Sequence, residues 1–163
     1  MPEKQTLARA RKAKRRGKRP TSQAGEFVRE EMHHIRAGKH GARSTKQGIA
    51  IGLSKARRAG VKLGQPPKGT KAKTRQSAAY GSRAVRRGHR KPSQTRSRAI
   101  ARALKRERRG AATRRALGRQ ARQAARRRGP AVRKAAARKA VATKGHAVLS
   151  AAARKAAATR KAA

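Results

Sequence analysis

A chain of 163 residues could form one ordinary domain, but here 50 Lys and Arg face only five acidic residues, a formal net charge of +45 at pH 7. Such an excess opposes any compact state formed alone, and the absence of cysteine excludes disulfides and thiolate metal sites. No apolar run approaches the ~18 residues that would cross a bilayer. The charge implies a polyanion as counterweight; taken literally, it matches about 45 phosphates, or about 22 base pairs of duplex.

The hydrophobic fraction of 35% is mostly Ala, with one Phe, one Tyr and no Trp. The larger apolar side chains Phe27, Val28, Met32, Ile35, Ile49, Ile51, Leu53, Val61 and Leu63 crowd into residues 22–63. Burying one such side chain yields roughly 1.5–3 kcal/mol, while ordering one residue's backbone costs about 1–2 kcal/mol. A core is therefore expected only there. The expected fold class is mostly α with a large disordered fraction: a short αα-hairpin followed by a low-complexity basic tail of conditional helices.

In chain order, residues 1–20 read as a disordered basic arm that Pro20 closes. They lack the apolar centre of a secretory signal and the amphipathicity of a transit segment. Residues 21–64 read as the hairpin module. Thr21 and Ser22 offer N-caps for its first helix, Phe27, Val28, Met32 and Ile35 form one stripe, and Gly38 ends it. The second helix starts at Ser44, whose spacing to Gln47 fits a capping box. Ile49, Leu53 and Ala56 line one face, Gly48 and Gly52 would let another backbone approach closely, and Gly60 fits a C′ position with Val61 packing back. A hairpin of about 40 residues is marginal alone, so self-association through residues 22–63 is a candidate.

Residues 65–130 read as an Arg-rich, partly helical linker region, and 131–163 as an Ala/Lys/Arg-rich histone-like tail. The periodicity predicts helices near 71–87, 93–109, 111–128, 131–144 and 147–162, broken at Gly88, Pro92, Gly110, Gly129-Pro130 and Gly145. Residues 83–128 hold 17 Arg and 2 Lys, whereas 131–163 hold 4 Arg and 5 Lys. Ala-Ala-Ala-Arg-Lys-Ala occurs at 135–140 and again at 151–156. Ala, Arg and Lys favour helix, but like charges at i, i+4 oppose it, so the tail should gain helix beside phosphates.

The turn after Gly38 is the sharpest candidate site. Helix N-termini bind anions, and Lys39, Arg43 and Lys46 surround this one, with Ser44 and Thr45 supplying hydroxyls. The spacing is not that of a nucleotide P-loop. Lys55, Arg57, Arg58 and Lys62 extend the basic surface, and Arg126, Arg127, Arg128, Arg138, Lys139, Arg154 and Lys155 are the phosphate contacts expected from the tail. Glu30, Glu31, His33, His34 and His40 contain two Glu-x-x-His spacings, but di-metal bundles need more carboxylates. These acids are expected to pair with basic residues of the second helix, and no metal, cofactor or catalytic residue is assigned. With almost no aromatics there is no stacking platform for single strands, and the second helix offers only charges and Gln47 for reading bases.

The stretch Gly25-Glu26-Phe27-Val28-Arg29-Glu30-Glu31-Met32-His33-His34-Ile35-Arg36-Ala37-Gly38-Lys39-His40-Gly41-Ala42-Arg43-Ser44-Thr45-Lys46-Gln47, continuing from Ile49 through Leu63, resembles a family of small basic bacterial proteins of unknown function, some labelled DNA-binding or plasmid-stabilisation proteins. Leu117-Gly118-Arg119-Gln120-Ala121-Arg122-Gln123-Ala124-Ala125-Arg126-Arg127-Arg128 resembles it too. The tail is similar in composition to tails of linker histones and bacterial histone-like proteins. The resemblance and the charge together lead us to expect a histone-like, nucleoid-associated DNA-binding protein, not an enzyme. It would neutralise, bridge and compact duplex DNA with little sequence preference, in support of plasmid or chromosome maintenance. An intracellular location is expected, at the bacterial nucleoid (nuclear in a eukaryote), without membrane insertion. The alternative is an RNA-binding, RNA-chaperone or ribosome-assembly protein; a membrane-active polycation fits less well, because its helices would want a face of Trp, Phe or Leu.

Overall fold

In a computed structural model, residues 2–67, 69–85 and 93–162 are described. They form eight α-helices and one 3-10 turn: α1 (Lys4–Arg15), α2 (Pro20–Arg36), α3 (Thr45–Arg58), α4 (Ala72–Arg83), α5 (Gln94–Arg106), the 3-10 turn Arg109–Ala112, α6 (Arg114–Arg127), α7 (Gly129–Lys144) and α8 (His146–Lys161). No strand occurs among the described residues. Two compact units divide the chain, Met1–Gly118 and Arg119–Ala163. The mostly helical class is as expected; the large disordered fraction is not, because helices occupy both the arm and the tail.

The arm is α1. Thr6, Leu7 and Ala10 recur at helical spacing and face α2, with Thr6 and Ala10 buried. A single large aliphatic residue suffices because Ala10 and Ala24 are small enough to let the two helix backbones approach, and Leu7 then packs against the cluster of Ala10, Ala24, Phe27 and Ala56. Arg9 Nε pairs with Glu26 at 3.3 Å. Lys12, Lys14 and Arg15 fill the last turn, where the helix dipole favours positive charge.

α2 begins at Pro20, whose fixed φ and missing N–H suit the first helical position. Thr21 and Ser22 therefore lie inside the first turn, and the residue at the N-cap is Arg19, with no side-chain cap. Gly38 ends α2 at φ +76°, the left-handed region that glycine enters without strain; Lys39 N then donates to His34 O at 3.0 Å. α3 starts at Ser44, whose hydroxyl accepts from Gln47 N at 3.2 Å, while Gln47 Oε1 accepts from Arg43 N at 2.7 Å. The box is reciprocal but reaches one residue further back than its usual form.

α2 and α3 cross at the two glycines. A Cβ on Gly52 would lie 2.7 Å from Val28 Cα, and one on Gly48 would lie 2.8 Å from Met32 Cε. The hairpin carries an apolar cluster on each side of this contact. On one side Ala10, Ala24, Phe27 and Ala56 pack with Leu7, Leu53, Val61 and Leu63. On the other, Met32, Ile35 and Ala42 pack with Val28 and Ile49 and are covered by Ala111, Ala112 and Leu117. The face of the hairpin bearing Met32 and Ile35 is thus covered by a later part of the same chain. Ranking residues by apolar size misses this cover, which is largely alanine.

The cover is fastened through the backbone. Gly41 N donates to Leu104 O at 2.8 Å and Ala42 N to Arg108 O at 3.2 Å. Arg36 Nε donates to Ala112 O at 2.8 Å, and Thr45 Oγ1 to Ala111 O at 2.7 Å. A Cβ on Gly41 would overlap the Glu107 carbonyl. α4 packs on α3, with buried Gly81 against the stem of Arg57. α5 buries none of its residues.

In the second unit, α7 and α8 meet at Gly145, whose φ of +77° breaks the helix between them, and neither buries a residue. The expected breaks at Gly88 and Pro92 lie outside the described residues.

Candidate nucleic-acid interface

Four of the five acids pair with basic side chains of the α1–α3 region, and two of them, Glu30 and Glu31, are buried. Glu26 faces Arg9. Glu3 Oε1 accepts from His34 Nε2 at 2.8 Å and from Lys39 Nζ at 3.0 Å, and these bonds, His34's first, hold its carboxyl down at about 2. Glu30 and Glu31 are buried, with Lys55 Nζ at 3.5 Å from Glu30 Oε1 and 2.6 Å from Glu31 Oε2. The backbone N of Glu3 donates to Glu30 Oε2 at 3.2 Å. Every ion pair among the described residues joins positions between 3 and 55. Among the described residues, no cation beyond that point has an acidic partner.

The expected contacts separate accordingly. Arg43, Lys46, Arg58 and Lys62 are exposed, and Ser44 is exposed as the cap of α3. Lys39 is exposed but holds Glu3. Thr45 is buried and its hydroxyl proton is committed to Ala111 O. Lys55 is committed to Glu30 and Glu31, and Arg57 to Gly64 O at 3.1 Å, with burial lowering the Arg57 pKa. Thr45, Lys55 and Arg57 thus each hold a partner within the fold. In the second unit Arg126, Arg127, Arg128, Arg138, Lys139, Arg154 and Lys155 are all exposed.

The fold also recruits residues that sequence reasoning left out. Because Gly41 and Ala42 bond to Leu104 and Arg108, the turn after α2 lies beside Arg108 and Arg109. The Arg109 guanidinium lies across Gly38, where an added Cβ would be 2.6 Å from its Cζ. Arg108 and Arg109 are exposed, so they join Arg43 and Lys46 near the start of α3. No local signal links positions so far apart. In the second unit's part of α6, Arg119, Arg122 and Arg126 are exposed at i, i+3 and i+7, one helical stripe. At 1.5 Å rise per residue its ends lie about 10 Å apart.

Such a surface can do one thing well. Guanidinium forks and ammonium groups neutralise phosphate oxygens, the former bidentately. It offers few of the Asn, Gln or apolar groups that read base edges. No helix among the described residues is long and apolar enough to cross a membrane. No family model, curated protein or solved structure matches this chain.

Proposed function

We propose that the protein is a histone-like, nucleoid-associated DNA-binding protein that neutralises, bridges and compacts duplex DNA with little sequence preference, in support of chromosome or plasmid maintenance. The observation that carries the reading is the segregation of charge: Glu3, Glu26, Glu30 and Glu31 pair with basic side chains at positions 9–55, while the helices α5–α8 contain Arg and Lys and no acid, Glu107 at the C-cap of α5 being the one acid beyond Glu31. The first unit would serve as the folded anchor, its basic turn contacting phosphates. The stripe on α6 and the exposed cations of α7 and α8 would engage further phosphates, on the same duplex or a second one.

Counterion release would drive this binding, so log affinity falls against log salt with a slope of about −0.9 per phosphate engaged. Ten contacts give a slope near −9, and fluorescence anisotropy with a labelled duplex over a salt series measures it. A slope near −2 contradicts the reading. Competition between duplex DNA and structured RNA at matched salt decides the polymer: preference for RNA replaces the nucleoid role with an RNA-chaperone or ribosome-assembly role.

A further inference from the structure

His40 Nδ1 lies 3.0 Å from the Gly41 carbonyl oxygen. That oxygen can only accept, so Nδ1 carries the proton of the bond. Its Nε2 lies 3.2 Å from Glu31 Oε1, a contact that either a proton on Nε2 or a metal cation between the two atoms makes favourable. Glu31 has no exposed surface, and neither of its carboxylate oxygens has a well-aligned hydrogen bond. His34, three residues along the same face of α2, brings a third donor, and the ligating atoms of Glu31, His34 and His40 lie within 4.8 Å of one another.

We propose that Glu31, His34 and His40 form a binding site for a divalent transition cation of the zinc class, with Glu3 as the fourth ligand. Two imidazoles and two carboxylates suit this class, which prefers nitrogen and oxygen at about 2.0–2.2 Å in a tetrahedron. Glu3 lies outside that three-residue cluster, with its Oε1 accepting from His34 Nε2 at 2.8 Å, and would turn in as the fourth ligand once the ion displaces that proton. The outer contacts are those a metal site needs. The Gly41 carbonyl fixes the His40 ring, and Lys55 occupies Glu31 Oε2 and leaves Oε1 for the ion. Three carboxylates (Glu3, Glu30 and Glu31) against two ammoniums (Lys39 and Lys55) give the locality a negative balance inside a strongly positive chain. A bound ion would tie the N-terminal end of α1 and the turn after α2 to the body of α2. The inference stands apart from the nucleic-acid reading.

The test uses the full chain, freed of nucleic acid and stripped with a chelator. Titration with Co(II) should give a visible d–d absorption of tetrahedral intensity that saturates at one equivalent and is abolished by Zn(II). His40→Ala and Glu31→Gln should each weaken Co(II) binding at least about tenfold. His33→Ala and His146→Ala, at exposed imidazoles outside the cluster, should leave it unchanged. His40→Gln, which keeps a polar side chain at the turn, serves as the reading wherever His40→Ala loses its helical circular dichroism. Absence of a saturable band in the unaltered chain overturns the proposal, as does a His40→Gln chain that binds Co(II) as well as the unaltered one.

Discussion

Gly25 and Gly52 lie in neighbouring helices, yet the same substitution should move stability in opposite directions at the two. Gly25 is in the interior of α2 with nothing within 4 Å of an added Cβ. Gly25→Ala should stabilise the fold by about 0.5–1 kcal/mol, by removing backbone freedom from the unfolded chain. Gly52→Ala places a methyl 2.7 Å from Val28 Cα, so α2 and α3 must part; the cost should be about 1–3 kcal/mol. Urea denaturation of both variants checks the sign. The close approach at Gly48 and Gly52 was legible because a helix otherwise has little use for two glycines a turn apart. The pairing of Glu30 and Glu31 with the second helix was legible too, through Lys55. Thr45 was not: its partner, the Ala111 carbonyl, is 66 residues away, and its type and position suit a phosphate contact equally well.

At the scale of elements, helix boundaries in the second half of the chain follow Gly and Pro closely, since those residues break helices for local reasons. α5, α6, α7 and α8 each lie within a few residues of the expected range. α1 was missed because one leucine in a run of cations gives little periodicity; what orders it is α2. α7 and α8 have no such partner core and bury no residue. Their helix rests on intrinsic propensity, which like-charge pairs such as Lys134 and Arg138 at i, i+4 oppose. Difference circular dichroism between the full chain and one ending at Arg128 should show the tail gaining helix as salt or duplex DNA is added. A tail spectrum indifferent to both would mean that this repulsion does not limit it.

For the whole molecule, the separation of a core-forming region from the exposed basic tail predicts separable effects. The side chains of both apolar clusters lie between Leu7 and Leu117, so deleting residues 131–163 should leave urea stability unchanged. The same deletion removes 4 Arg and 5 Lys, so the salt slope of duplex binding should flatten by up to about 8. Light scattering should show weaker compaction of long DNA. An unchanged slope would place binding in residues 1–130 alone. Composition gave the charge and the helical class, but not the extent of order. The cover of the hairpin comes from alanines and main-chain bonds that no hydropathy pattern marks.

Those main-chain bonds impose an order of events on a nascent chain. At about 5–20 residues per second, the face bearing Met32 and Ile35 leaves the ribosome seconds before its lid around Ala111 and Leu117 is made. Throughout that interval a greasy, cationic intermediate is exposed amid ribosomal and messenger RNA. A chain halted at Lys105 should therefore bind the dye ANS and aggregate on RNA, whereas one extended to Arg128 should do neither.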